Sequence, residues 1–195
     1  MPHASLPPCS ALILAGGRGQ RMGGQDKGLL LWQGRPLVSY AAALARPLSD
    51  DLIISCNRNP DEYAPYADRL VHDDSPDFPG PLAGIRAGLA VARHSHLLVL
   101  PCDAPLLDHE LLVQLLQACA ASPSKVQMLR SGEQWEPLFC VIPVALRQQI
   151  DEAWQRGDRS PRHVFSHLGL QAVPCPTDDP RLANLNTPEL LYNAR

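Results

Sequence analysis

A chain of 195 residues, 45% of them apolar, suffices for one globular domain with a buried core. Its formal charge of −3 argues against nucleic acid or an anionic membrane surface as the main partner. No apolar run reaches the roughly 20 residues of a membrane span.

The opening "MPHASLPPCS" lacks the basic and apolar regions of a secretory leader, so residues 1–10 are expected to form a flexible arm. "ALILA" (Ala11 to Ala15) then reads as a buried strand stopped by glycine. Past a glycine-rich segment, "PLVSYAAALA" (Pro36 to Ala45) predicts a helix with proline in its first turn. "DLIISC" and "RLVHDD" predict two more strands, and the alanine-rich "PLAGIRAGLAVAR" a helix that packs closely on a sheet. "HLLVLPCDAP" is the clearest strand, followed by a helix over Asp108 to Ala120 with Asp108 as N-cap. This alternation is the pattern of an α/β fold: a single Rossmann-like three-layer domain with a mostly parallel sheet. "VQMLR" and "PLFCVI", separated by the turn "SGEQWE", add an antiparallel strand. Helices over "VALRQQIDEAWQRG" and "SPRHVFSHLG", a strand at "LQAVPC" and a last helix capped by Thr187 complete the chain. A less regular α+β domain is the second fold reading. No repeat or linker divides residues 11–195, which are expected to form one domain.

Six scattered cysteines with no C-x-x-C pair favour reduced, cytoplasmic thiols over disulfides or a metal cluster. His94 and His96 lack partner ligands at metal-site spacing. Ligands of an open parallel sheet gather at the carboxyl ends of its strands, where strand order reverses. The predicted strands place Gly16–Gly17, Asn57, Asp73–Asp74 and Asp103 along that rim.

"ILAGGRGQRMGGQDKGLL" (Ile13 to Leu30) gathers Arg18, Arg21 and Lys27 among glycines, more cationic charge than a plain surface loop needs. It is not a Walker A loop, because Lys27 lies between Asp26 and Gly28. It also fails the G-x-G-x-x-G dinucleotide fingerprint, which disfavours an oxidoreductase. Glycines do let backbone N–H groups approach a polyphosphate, while arginine and lysine neutralise it. Asp103, just past an apolar run, reads either as a turn former or as a magnesium ligand.

Leu14-Ala15-Gly16-Gly17, then Arg21-Met22-Gly23, then Asp26-Lys27, resembles the signature of the nucleotidyltransferases. With "SCNRN", "DDSPDFPGPLAGI", "PCDAP" and "NLNTPEL" in the same order, the chain resembles the molybdenum cofactor guanylyltransferase (MobA) family from Leu14 to Leu190. The resemblance implies a single nucleotidyltransferase domain over 11–195, with GTP and molybdopterin as substrates and Mg2+ as cofactor. It implies GTP contacts from Leu14, Ala15, Gly16, Gly17, Lys27, Asp74 and Asp103, with Arg21, Lys27 and Asp103 in catalysis and Asp103 as metal ligand. Ser55 stands where the family often has asparagine; a hydroxyl cannot reproduce a two-ended amide, so Asn57 is expected to share the base reading. Arg156, Arg159 and Arg162, with His163, form either a solvated turn or the loop meeting molybdopterin. Asn184 and Asn186 are the C-terminal candidates, Asn186 also reading as part of a helix cap. Molybdopterin-synthesis and molybdoenzyme-delivery proteins are the implied protein partners. Cytidylyl or sugar-phosphate transfer, and a non-catalytic carrier of GTP or molybdopterin, are the alternatives.

Overall fold

The computed structural model describes residues 6–16, 25–73 and 80–185. Within them the elements run β1 (Cys9–Leu14), β2 (Leu31–Trp32), β3 (Arg35–Pro36), α1 (Leu37–Ala45), β4 (Leu52–Ser55), α2 (Pro60–Tyr63) and β5 (Arg69–Val71). They continue with α3 (Pro81–Val91), β6 (His96–Pro101), α4 (His109–Ala121), β7 (Val126–Ser131), β8 (Gln134–Pro143), α5 (Arg147–Gln155), α6 (Pro161–His167) and β9 (Leu170–Cys175). Seven strands form one sheet in the order β5-β4-β1-β6-β8-β7-β9, in which β8 runs antiparallel to both its neighbours.

Central strands are predominantly apolar and buried along nearly their whole length because helices cover both faces. Every residue of β6 is buried, for example. Side chains alternate between the faces. Ala11 and Ile13 of β1 join one cluster with Val38 and Ala45 of α1 and Leu112 and Leu115 of α4. Leu12 joins the other, with Ile85 and Leu89 of α3, Ile150 of α5 and Phe165 of α6. The chain steps outward through β1, β4 and β5, then returns by α3 to place β6 on the other side of β1. Right-handed crossovers in opposite directions put α1 and α3 on opposite faces. The carboxyl ends of β1 and β6 therefore form the switch point.

Close approach of α3 depends on two glycines. A Cβ at Gly88 would lie 2.7 Å from Leu12 Cδ2, and one at Gly84 would lie 2.8 Å from both Leu14 Cδ2 and Ser55 Oγ.

Some expected boundaries shift. β1 begins at Cys9, inside the stretch expected as an arm, because Cys9 and Ser10 already pair with His96 and Leu97. Pro36 belongs to the β2–β3 hairpin rather than to α1. That hairpin turns on Gln33 and Gly34, both at positive φ (48° and 77°), as a two-residue β-turn requires. Its strands are too short to leave an apolar pattern. The turn expected over "SGEQWE" contracts to Gly132–Glu133, and Trp135 and Glu136 pair with Arg130 and Leu129. This half of β8 is partly exposed, so its polar residues do not end the strand. Asp108 caps α4 as expected, its carboxylate accepting from Leu111 N at 2.9 Å. The helix expected after Asn186 lies outside the described residues.

Candidate functional site

A cavity of about 450 Å3 opens at the switch point. Its floor is the end of β1 (Leu14, Ala15, Gly16) beside Pro101, Cys102 and Asp103 after β6. Ser55 from β4, Asp73 beyond β5, and Gly80, Pro81 and Gly84 of α3 form one wall, and Leu138 of β8 another. Lys27 enters from the glycine-rich segment. Backbone bonds fix the floor: Ala15 N donates to Ser55 O at 2.8 Å and Cys102 N to Leu14 O at 3.2 Å. The amino end of α3, opened by Gly80 at φ 99°, faces the same space. A helix start favours anions through its unpaired N–H groups and its dipole.

The Lys27 ammonium is paired with the Asp103 carboxylate, whose side chain is nine-tenths buried. The cavity lining thus carries this ion pair together with the Asp73 carboxylate. Burial pushes the Cys102 thiol far up, with the Asp103 charge adding to the effect. Cys102 is therefore neutral apolar lining rather than a nucleophile.

Of the candidate residues, Leu14, Ala15, Gly16, Lys27, Ser55 and Asp103 all line this cavity. Gly17, Arg21, Asp74 and Asn186 lie outside the described residues. Asn57 stands apart from the lining. Its Nδ2 donates to Asp73 Oδ2 at 2.7 Å and its Oδ1 accepts from Asp73 N at 3.1 Å. Both ends of the amide hold Asp73 in place, so Asn57 braces the rim beside Gly16. Leu138 and Gly84 escaped the sequence reading. Leu138 reaches the cavity only because β8 folds back beside β6, and Gly84 lies within a family-like block without a role of its own in the sequence.

A second cavity, of about 390 Å3, shares Asp73 with the first and is lined by Arg86, Arg147, Asp151, Trp154 and Arg159. The Arg159 guanidinium stacks 3.8 Å from the Trp154 ring centroid, with Arg86 4.7 Å from it. Arg86 Nε donates to Asp151 at 2.6 Å. Arg156 and Arg162 are exposed and line neither cavity. Asn184 is next to Leu185, whose N–H donates to the Asp103 carbonyl at 2.9 Å, so the "NL" segment lies against the Asp103 loop.

Asp103 and Asp73 supply oxygen donors around one cavity. Magnesium asks for one or two carboxylates, with phosphates and water completing its shell, so the donor set fits that ion. Among the described residues no group of three or more His, Cys, Asp or Glu could hold a metal on its own. His94 lies against Asp50 and His96 against the Pro123 carbonyl, both structural contacts. All six cysteines are free.

The model of the MobA-like NTP transferase domain matches residues 11–173. The chain belongs to the MobA-like NTP transferase family. Relatives at high identity carry the name molybdenum cofactor guanylyltransferase. One from Pseudomonas paraeruginosa is 68% identical over 191 residues, covering 98% of this chain and 96% of its own length. Another, from Pseudomonas fluorescens, is 64% identical over 192 residues, again covering 98% and 96%. Solved structures share the MobA-like fold. The molybdopterin-guanine dinucleotide biosynthesis protein A of Archaeoglobus fulgidus has a TM-score of 0.76 at 20% identity, covering 95% of this chain and 96% of that one. The 4-diphosphocytidyl-2C-methyl-D-erythritol synthase of Anaerococcus prevotii reaches the same TM-score at 12% identity, covering 95% and 93%. No helix among the described residues is long and apolar enough to cross a membrane.

Proposed function

We propose that this member of the family transfers GMP from GTP to the terminal phosphate of molybdopterin, forming molybdopterin guanine dinucleotide and releasing pyrophosphate. The observation that carries the reading is the meeting of Lys27 and Asp103 in one cavity at the switch point, on a chain 68% identical to a relative named for that activity.

The acceptor is a phosphate monoester, whose second pKa is about 6, so its attacking oxygen is ionised near neutral pH. No side-chain base is needed, and the described lining offers no histidine. The acceptor oxygen bonds to the α-phosphorus, and the bond from that phosphorus to the bridging oxygen breaks in line. Pyrophosphate leaves with the electron pair. Lys27 exchanges Asp103 for the phosphates and offsets their charge as the leaving group forms. Asp103 and Asp73 are assigned the Mg2+, which neutralises and orients the phosphates when bound. Arg21 is assigned a second cationic contact, Asp74 the nucleoside end, and Leu14, Ala15, Gly16 and Gly17 backbone contacts. Ser55 lies on the wall beside Gly84, where a hydroxyl can hydrogen-bond the nucleoside. Molybdopterin is assigned the side bounded by Asp73 and Arg159, and Asn184 and Asn186 are assigned further contacts with it. The free thiols fit a reducing cytoplasm. Proteins that make molybdopterin or receive its dinucleotide are the proposed partners.

Purified protein given Mg2+, molybdopterin and either GTP or CTP tests the reading. Pyrophosphate release with GTP is expected, and CTP is expected to be a poor donor. A preference for CTP reassigns the base, and binding without release from either reassigns the protein as a carrier.

A further inference from the structure

The aim of Lys27 is set from outside the cavity. Asp26 opens the 3-10 turn Lys27–Leu29, and its carbonyl accepts from Leu29 N at 3.1 Å. Its carboxylate is held by two residues that do not line the cavity. Tyr63 Oη donates to Oδ1 at 2.5 Å, and Asn59 Nδ2 donates to Oδ2 at 3.1 Å. Asn59 sits at φ 49°, a left-handed conformation that asparagine tolerates better than most residues. Tyr63 is wholly buried in the core that also holds Cys56 and Cys102.

Gly28 completes the fit. A Cβ there would lie 2.5 Å from Tyr63 Oη and 3.0 Å from a ring carbon, so only glycine lets the turn lie on the tyrosine. Asp26-Lys27-Gly28 thus meets Tyr63 with an acceptor before the lysine and clearance after it. Charge gives the arrangement a purpose. A loose Asp26 carboxylate would compete with Asp103 and with phosphate for the neighbouring ammonium; two hydrogen bonds keep it occupied. Burial pushes the Tyr63 hydroxyl well above its ordinary value, so it remains a donor across the working pH range.

We propose that Tyr63 and Asn59 are positioning residues for nucleotidyl transfer, acting through the Asp26 carboxylate to direct Lys27 toward the phosphates. The inference rests on the role assigned to Lys27 above. Neither residue lines the cavity.

The chain contains two lysines, Lys27 and Lys125, so 13C-dimethylation gives a two-signal lysine spectrum that reports Lys27 without any turnover. Tyr63→Phe is expected to shift the Lys27 signal and leave that of Lys125 in place. In the transfer assay it lowers kcat on the order of tenfold, as misplacement of a catalytic group does, with KM for molybdopterin little changed. Asp26→Asn keeps an acceptor for Tyr63 and recovers part of the activity that Asp26→Ala loses. An unmoved Lys27 signal with wild-type kcat in Tyr63→Phe overturns the proposal, as does equal loss in the two Asp26 variants. If the wild-type protein releases no pyrophosphate, the proposed function falls, while the Lys27 signal still decides the tether.

Discussion

Lys27 and Asp103 are 76 residues apart in the chain and in contact in the fold. Each does what its neighbours cannot: Lys27 brings a mobile charge on a long stem, and Asp103 a fixed carboxylate at a strand end. Asp103→Ala is expected to abolish pyrophosphate release while the thermal transition stays near wild type, since the carboxylate faces the cavity and not the core. Lys27→Met should leave binding of molybdopterin intact and lower kcat on the order of 10²-fold, the loss typical of removing one preorganised charge. Steady-state kinetics on both variants checks these outcomes. Both residues were legible in the sequence because each ends a recognisable pattern, a glycine-rich cradle or an apolar run. The contact between Asn57 and Asp73 was not legible. The Asn57 amide could equally face a base or a neighbouring carboxylate, and only the spacing between β4 and β5 directs it to Asp73.

Among elements, α3 carries the most demanding contact. Gly88→Ala drives a methyl into Leu12, a fully buried side chain, and should destabilise the fold by about 1–3 kcal/mol with little change in KM. Gly84→Ala meets Leu14 and Ser55 at the cavity wall and is expected to raise KM for GTP as well. Denaturant titration alongside kinetics separates the two. The opposite end of the sheet is held by Asp51, wholly buried and bonded to Ser10 Oγ, Arg93 N and Arg69. Asp51→Ala leaves Arg69, the Ser10 hydroxyl and the Arg93 amide without their shared acceptor and should cost about 3 kcal/mol without altering the site's KM. The alternation of strand and helix made these elements readable in advance. The β2–β3 hairpin and the first half of β8 were not, since two-residue strands have no period and half-exposed strands no apolar run.

For the whole molecule, charge balance predicts a plateau of stability. Asp51 resists ionisation through burial, but its bonds to Ser10, Arg93 and Arg69 outweigh that and hold its carboxyl below the usual range. Asp179 is held down by Arg181, and Asp108 by the Leu111 amide and Arg181 against burial. Depressed carboxylates stabilise above their unfolded pKa, and that contribution is lost as the pH falls toward their folded values. Thiols act at the other end. Burial pushes Cys9 up to about 12 and Cys56 and Cys119 up to about 11. Raised thiols stabilise fully below their unfolded pKa of about 8.5, and the contribution declines as the pH rises toward the folded values. Thermal unfolding in reductant should therefore be flat from about pH 5 to 8 and fall on both sides. An unchanged transition at pH 10 would contradict the alkaline limb. Strand order, by contrast, was invisible to the sequence beyond a mostly parallel sheet, because pairing across distant strands depends on which apolar faces the helices cover.

The order of the strands also sets when the site can exist. β1 precedes its pairing partner in β6, the run that ends at Pro101, and the wall residue Leu138 comes later still. Until that residue has cleared the ribosome, β6 keeps an unpaired edge and the cavity at the switch point has no far side. Chains that stop short of β8 therefore lack one wall of this cavity, and binding of any ligand that needs that wall marks a polypeptide synthesised past Leu138.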